Sequence, residues 1–194
     1  MELLTGIFSA FGLSASAGLN AYIPLLTISL LAKFTDLINL QSPWDTLTSW
    51  WVIGVLVVLG SIEFFADKIP AVNHINDIIQ TFVRPIAGAI AFAASANVLT
   101  EISPILSMIA GLFIAGSVHT VKSAAVRPAL TATTAGAANT PVSIAEDVIS
   151  TFLSILAILI PIIIGIILVL LTITFIWWRW RKANANKIDQ GERR

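Results

Sequence analysis

The sequence predicts an all-α membrane protein with about seven transmembrane helices, some of them short or broken. Of its 194 residues, 57% are hydrophobic and only 11% are charged, whereas about a quarter of the residues in a soluble domain are charged. Two long stretches, 3–32 and 148–178, contain no charged residue. Because about 20 apolar residues cross a bilayer, the chain has room for six or seven crossings.

Breaks in the hydrophobic pattern divide the chain into helices. Asn20 and Pro24 disfavour one straight helix through 3–32, so we predict two short ones there. The segment 67–84 is the most polar internal one, and we expect it to be an ordered connection outside the membrane. The predicted helices are 3–19, 21–32, 50–66, 85–99, 104–121, 125–134 and 148–178.

Basic residues predict the orientation. The tail 179–194 contains six basic and two acidic residues, which is typical of a cytoplasmic segment. Alternation over seven helices then places the N-terminus outside, and it places four further basic residues on the inner side with the tail. These are Lys68, Arg84, Lys122 and Arg127. Residues 1–178 are expected to form one transmembrane bundle.

A weak internal repeat relates the two halves of the bundle, 3–82 and 104–178. The pattern A-x-x-P-x-L-T occurs at 21–27 and again at 125–131, and Gly12 matches Gly116 at the same offset. A rival match between 83–85 and 126–128 leaves the alignment open. Paired Gly/Pro-broken segments in two halves are typical of transporters with a site at the bilayer midplane.

Several classes of site are excluded or unsupported. The chain has no cysteine, which excludes disulfides, thiolate metal sites and cysteine nucleophiles. With two histidines and no recognisable enzyme motif, we predict no metal, no cofactor and no catalytic residues. The formal net charge of zero gives no indication of a nucleic-acid partner.

Candidate functional residues are the ionisable and amide side chains near the helix ends. Glu63 and Asp67 are four residues apart, so a helix places both carboxylates on one face, although they could also simply end the helix in interfacial water. His119, Lys122, Ser123 and Arg127 form a basic stripe. That stripe could bind an anion, contact lipid headgroups or pair with the two acids, and we favour pairing.

Other polar residues have competing explanations. Ser143 and Glu146 have the spacing of a capping box, so we expect Glu146 and Asp147 to stabilise a helix start rather than to act in a site. Asn20 and Asn139 lie at the two breaks, where they could coordinate a solute or cap helices. Asp77 and Arg84, in the polar segment, complete the second group of candidates.

Several motifs together resemble one bacterial membrane family, the domain of unknown function 4126. They are Ser16-Ala-Gly-Leu-Asn20-Ala-Tyr-Ile-Pro24, Glu63-Phe-Phe-Ala-Asp67-Lys68-Ile-Pro70 with Asp77, Arg84-Pro85-Ile-Ala-Gly88, His119-Thr-Val-Lys122-Ser-Ala-Ala-Val-Arg127, and Asn139-Thr-Pro141-Val-Ser143-Ile-Ala-Glu146-Asp147. The resemblance covers most of the chain and implies a compact integral membrane domain in the bacterial inner membrane. It implies no chemistry.

The function that we expect is transport of a small solute or ion along a polar path at the broken helices. The path would consist of Glu63, Asp67, His119, Lys122, Arg127, Asn20 and Asn139. The alternative is a non-transporting scaffold or assembly factor, and the third choice is a membrane lipid or phosphate enzyme that uses Asp67, Asp77 and His74. The lipid bilayer is the one certain partner, and the small size favours a homo-oligomer.

Overall fold

The structure, a computed structural model, describes residues 2–68, 70–96, 103–159, 167 and 169–181. It is all-α in these ranges, as predicted. The helices are α1 (Glu2–Leu19), α2 (Tyr22–Phe34), α3 (Trp50–Ala66), α4 (Pro70–Ala96), α5 (Pro104–Val121), α6 (Arg127–Thr134) and α7 (Asn139–Leu159). Residues 169–181 are also helical. The predicted end of the fourth helix at 97–99, residues 160–166, most of the tail and the side chain of His74 lie outside the described part.

The bundle is apolar on its outer surface, while charged and polar side chains are buried inside it beside small and apolar ones. Three helical segments, 75–96, 104–134 and 139–159, are long and apolar enough to cross a membrane, and shorter apolar helices lie at 6–19, 22–34 and 50–66. Large apolar side chains such as Trp51 (87% exposed) and Phe113 (67%) cover the outer surface. A surface of this kind is stable in contact with lipid rather than with water.

Small residues allow α1, α4 and α5 to pack closely. Gly88 on α4 and Gly111 on α5 face each other, and Ser14 Oγ of α1 donates to both of their carbonyls, at 3.2 and 2.8 Å. Side chains of this size let helix backbones approach where no hydrophobic force holds helices together in lipid. The alanine-rich second half of α4 accordingly lies in the bundle interior.

Serines join α1 to α7 in the same way. Ser16 Oγ lies 2.7 Å from Ser150 Oγ and 2.7 Å from Ser154 Oγ, and all three residues are fully buried. Hydrogen bonds between membrane helices contribute about 0.6 kcal/mol each on average. The serines thus fix the register of α7 against α1.

The sequence analysis predicted the polar segment 67–84 as a connection outside the membrane that precedes the fourth helix, but residues 70–84 form the first half of helix α4. Helix α4 begins at Pro70 and continues to Ala96 with Pro85 inside it. The polarity of this segment is explained by its position, because Arg84 and Gln80 are buried against other helices rather than dissolved in water. The proposed boundary between the repeat halves at residue 82 falls inside this helix.

The predicted fifth and sixth helices are also continuous. A π turn, Lys122–Val126, joins α5 to α6 without a break, and Pro128 is tolerated because it lies in the first turn after the π turn. In consequence 125–131 lies inside a continuous helix, whereas 21–27 begins α2 after a break. The repeat stays a prediction.

The continuous helix removes the alternation of seven crossings from which the sides of the N-terminus and of the loops were predicted. The turn 135–138 now lies at the opposite end of the bundle from the loop 35–49, whereas alternation over seven separate crossings placed both outside. Arg84, Lys122 and Arg127 are buried side chains, so they are not the loop charges that determine orientation. Helix α7 begins at Asn139, nine residues before the predicted start of the last helix at Val148.

We predict opposite effects for two glycine substitutions on stability. In Gly111→Ala the new Cβ would lie 2.8 Å from Ala89 Cα, and such overpacking costs about 1–3 kcal/mol. In Gly54→Ala nothing lies within 4 Å, and alanine favours the helix by roughly 0.5–1 kcal/mol. Thermal unfolding in detergent should show a lower Tm for the first and an equal or higher Tm for the second. Equal losses in both would contradict this packing.

We predict that the loop 35–49 and the turn 135–138 are accessible from opposite sides of the membrane. Because the chain has no native cysteine, Asp36→Cys and Ala137→Cys each introduce one exposed thiol. A membrane-impermeant thiol reagent should label one variant in intact cells and the other only in inverted vesicles. Labelling of both from the same side would favour a break between α5 and α6.

Candidate functional site

Nine charged side chains meet inside the bundle and form what we call the charge cluster. Three of them come from the end of α3, two from α4, two from the π turn and the start of α6, and two from α7. They are Glu63, Asp67, Lys68, Asp77, Arg84, Lys122, Arg127, Glu146 and Asp147. Asp77 and Lys68 lie at its partly exposed edge, and the other seven are buried.

Arg84 lies at the centre of the cluster and is completely buried. Its Nη2 lies 2.8 Å from Glu63 Oε1 and 3.6 Å from Asp67 Oδ2, while its Nη1 lies 3.3 Å from His119 Nδ1. A guanidinium only donates, so His119 Nδ1 must accept. The ring proton is thereby assigned to Nε2, which faces Thr81 Oγ1 at 3.2 Å.

The π turn determines how the basic stripe meets the acids. In an α-helix, residues five apart point in different directions, but the wider turn places Lys122 and Arg127 on the same side. Lys122 Nζ lies 2.6 Å and Arg127 Nη2 3.5 Å from Glu146 Oε2. Arg127 also reaches Asp67 Oδ2 at 3.4 Å and Asp77 Oδ2 at 3.1 Å.

Three short helices end at the cluster. The last carbonyl of α1, from Leu19, accepts from Lys122 Nζ at 3.2 Å, and Phe64 O near the end of α3 accepts from Lys68 Nζ at 2.9 Å. Cations suit these positions because the C-terminus of a helix carries partial negative charge. Helix α2 begins there, capped by Asn20, whose Oδ1 accepts from Tyr22 N and Ile23 N, both at 3.1 Å.

The longer helices run through the cluster instead of ending at it. Arg84 lies near the middle of α4 (Pro70–Ala96), and His119 lies at the middle of the continuous helix 104–134. At 1.5 Å per residue each is about 20 Å from either end of its helix. Arg84 and His119 are therefore held near the middle of their helices, whereas Asp77, Arg127 and Glu146 lie about 10 Å from the nearer helix end.

Not every buried acceptor in the cluster has a donor. Glu63 Oε2, Asp77 Oδ1 and Gln80 Oε1 are inaccessible to solvent and have no hydrogen-bond partner among the described residues. By contrast, Asp67 accepts from Asn76 Nδ2 at 2.6 Å and from Ser143 Oγ at 3.2 Å in addition to its ion pairs. Unsatisfied oxygens therefore occur on several side chains of the cluster, with Glu146 Oε2 as a fourth one despite its ion pair with Lys122.

Two cavities adjoin the cluster. One of about 400 Å³ lies between α2 and α3 and is lined by Asn20, Tyr22, Ser61 and Phe64 among others. The second, of about 460 Å³, lies between α4 and α5 and has Thr81 and His119 in its wall. Glu63 and Lys122 line neither of these two cavities. The contacting side chains of Glu63, Arg84 and His119 connect the regions of the two cavities.

The structure brings together nearly all the predicted site residues. Besides the nine charges, His119 and Asn20 contact the cluster, and Asn20 Nδ2 donates to Asp147 Oδ1 at 3.0 Å. The expected pairing of the acids with the basic stripe is confirmed for Asp67 with Arg127. Asn139 lies apart from this cluster, at the start of α7, where it donates to Thr131 Oγ1 at 3.2 Å.

The capping-box interpretation of Ser143 and Glu146 is wrong. Because α7 begins at Asn139, both residues lie one to two turns inside the helix, where they contact Asp67 and Lys122. Ser123, which the sequence placed on the basic stripe, instead donates to Thr120 O at 3.4 Å.

Sequence reasoning missed four polar residues of the site. Asn76 and Gln80 precede Arg84 by eight and four residues, so they form one helical stripe that becomes recognisable once 70–96 is treated as a helix. Ser143 was assigned to a cap, and Lys68 was treated as a loop charge although it pairs with Asp147 at 3.1 Å. No described group of three His, Asp or Glu side chains is arranged to hold a metal ion.

Comparison with known proteins places the chain in a family. Neither the curated proteins nor the solved structures contain a match to it. Residues 7–181, which include every residue of the charge cluster, match the family described as "Domain of unknown function (DUF4126)". That range covers most of the chain and all of its described membrane helices except the start of α1, so the protein belongs to the DUF4126 family of helical membrane proteins.

Proposed function

We propose that this protein transports a small ion or solute across the membrane and that the charge cluster is its transport site. The observation that carries the proposal is the burial of ionisable groups inside the bundle, with Arg84 near the middle of its helix and the ends of three shorter helices at the same cluster. Ionisable residues within membrane helices are costly, and they characteristically belong to substrate, ion or proton pathways.

The energetics favour a functional role over a purely structural one. A buried ion pair recovers little or none of its desolvation cost, and an apolar pair of similar volume is often as stable or more stable. A bundle that only had to hold together could therefore dispense with Arg84 and Glu63. Their retention, with unsatisfied oxygens beside them, supports a site that has to interact with something else.

The helix break at Asn20 supports the same conclusion. Transporter sites are commonly built where a helix is interrupted, because exposed carbonyls and helix ends then face the solute. Here the Leu19 carbonyl contacts Lys122 and the Asn20 amide contacts Asp147. The two cavities, one on the α2–α3 side and one on the α4–α5 side, provide approaches to the cluster, which is itself closed in this conformation.

For the surroundings of this site, we propose the bacterial inner membrane, with the basic tail 179–194 on the cytoplasmic side. The six basic residues of the tail support this orientation. A homo-oligomer is proposed because the outer faces retain small residues such as Gly54, which has nothing within 4 Å of its added Cβ.

We predict that neutral variants of the cluster lose transport. Purified protein in proteoliposomes should be screened with inorganic ions and small metabolites, and flux of the active solute should fall about tenfold or more in Glu63→Gln and Lys122→Gln, equivalent to at least ~1.4 kcal/mol in the barrier. Asp67→Asn should behave in the same way. Asp36→Asn makes the same chemical change on an exposed loop residue and should leave flux unchanged. Equal flux in all variants would remove the cluster from the mechanism.

The second candidate is a non-transporting scaffold, and the observation that favours it is the dense pairing of the charges. A scaffold needs the ion pairs only for stability. It would therefore show no flux, and it would tolerate the replacement of both partners of a pair by neutral residues. Variants of the Arg84–Glu63 pair, which has a 2.8 Å contact, distinguish the transporter hypothesis from the scaffold hypothesis.

We predict that stability and transport respond differently to loss of this pair. Arg84→Gln alone removes one partner of a buried pair, which costs about 3–5 kcal/mol. The double variant Arg84→Gln/Glu63→Gln should recover part of the lost Tm, because both partners of the pair are then neutral, but it should not recover flux. A double variant that transports like the parent protein would contradict the transport site.

A further inference from the structure

The described charge cluster contains more acidic than basic groups. Its five carboxylates face four cationic side chains, and His119 adds no charge because its Nδ1 accepts from Arg84. One negative charge is left uncompensated. In a site of low dielectric constant such an excess favours the uptake of one positive charge.

Glu63 Oε2 is the oxygen best placed to receive that charge. Arg84 approaches only the other oxygen, Oε1, with Nε at 3.3 Å and Nη2 at 2.8 Å. Glu63 is 1% exposed, and its Oε2 has no described hydrogen-bond partner. The charged and titratable groups that act on it are Arg84 of α4, Lys122 of the π turn, Asp67 of its own helix and Tyr22 of α2.

A second unsatisfied oxygen lies in the same region. Gln80 is 2% exposed, and its Oε1 also lacks a described partner. The Tyr22 side chain lies near both residues. A proton on Glu63 Oε2 would remove one of the unsatisfied acceptors, because one O–H group converts an acceptor into a donor.

We propose that Glu63 binds one proton on Oε2 and that this proton is the coupling ion of the transport proposed above, on which the second part of the inference rests. A hydronium ion in the cavity lined by Tyr22 gives a proton to the Tyr22 hydroxyl and leaves as water, while the O–H proton of Tyr22 passes to Oε2. On release, the O–H bond breaks, and the proton returns to water while the carboxylate is restored.

The donor set fits a proton better than a metal cation. Hard cations such as Ca²⁺ and Mg²⁺ take about six or more oxygen ligands, whereas the described residues offer two unsatisfied oxygens here and no group of three ligating side chains arranged for a metal. The cavity of about 400 Å³ reaches Tyr22, whose hydroxyl both donates and accepts. Water in that cavity has a short route to the carboxyl group.

Infrared difference spectroscopy on the purified protein in detergent tests the proton site without any flux. A protonated carboxyl group has a C=O stretching band that a carboxylate lacks, and the band shifts on exchange into D₂O. At neutral pH we expect this band in the parent protein and in Asp36→Asn, and we expect its loss in Glu63→Gln, which resembles the protonated side chain in shape and should fold.

Asp67→Asn provides the decisive comparison, because it retains Glu63 but removes the neighbouring negative charge. The cluster is then balanced, so the band should weaken at least twofold relative to Asp36→Asn. A band that is absent in the parent protein, or one that persists unchanged in Glu63→Gln, would overturn the proposal. If the band is absent and Na⁺ raises the Tm at constant ionic strength, the site binds a metal cation, and the proton proposal is also overturned.

The same experiment separates this inference from the transport proposal. The infrared band depends only on proton binding at equilibrium, whereas the proteoliposome assay depends only on flux. A band assigned to Glu63 in a protein without flux would preserve the proton site and reject transport. Flux without the band would preserve transport and reject Glu63 as the proton site.

Discussion

The burial of Arg84 against Glu63 is the constraint on which the rest of the structure depends. A guanidinium at 0% exposure requires acceptors on several sides. The end of α3 supplies Glu63 and Asp67 at 2.8 and 3.6 Å, and α5 supplies His119 at 3.3 Å. Those acids attract further cations in turn, so Arg127 and Lys122 are drawn into the same interior. Because unpaired charge in a low-dielectric interior costs several kcal/mol, the helices that carry these groups have to converge on one place.

Close helix packing and the charge cluster support each other. The glycines and serines between α1, α4, α5 and α7 hold the backbones near enough for short side chains to meet across the bundle. The same approach excludes lipid and water from the ion pairs, which strengthens them. The π turn Lys122–Val126 adjusts the register of the longest helix so that two cations, and not one, face α7. Such turns often occur at functional sites.

Much of this organisation could be predicted from the sequence, and the failures have specific causes. The charge-free stretches fixed the membrane class, and the break at Asn20 was recognisable because asparagine and proline interrupt an apolar run. Glu63, Asp67 and Lys122 were recognised because charges are rare in such a chain.

The polar segment 67–84 was misassigned because local composition does not reveal that neighbouring helices supply partners for Asn76, Asp77 and Arg84. The joining of α5 to α6 was missed for a similar reason. Pro128 is tolerated because it follows a π turn, and no residue pattern predicts that turn. The role of Ser143 and Glu146 was misassigned because α7 begins nine residues earlier than predicted, which places both residues inside the helix.

The central claim is that the buried charges communicate with water within the membrane rather than serving as a sealed structural core. Single cysteines in the two cavities test it most directly, because the chain contains none of its own. Ser61 lines the cavity beside Tyr22, and Ser117 lines the one beside His119. In sealed vesicles a water-soluble, membrane-impermeant thiol reagent should react with Ser61→Cys or Ser117→Cys, and neutralising Glu63 should change the rate. If neither thiol reacts in vesicles while both react in detergent, the cavities face only lipid and the account is contradicted.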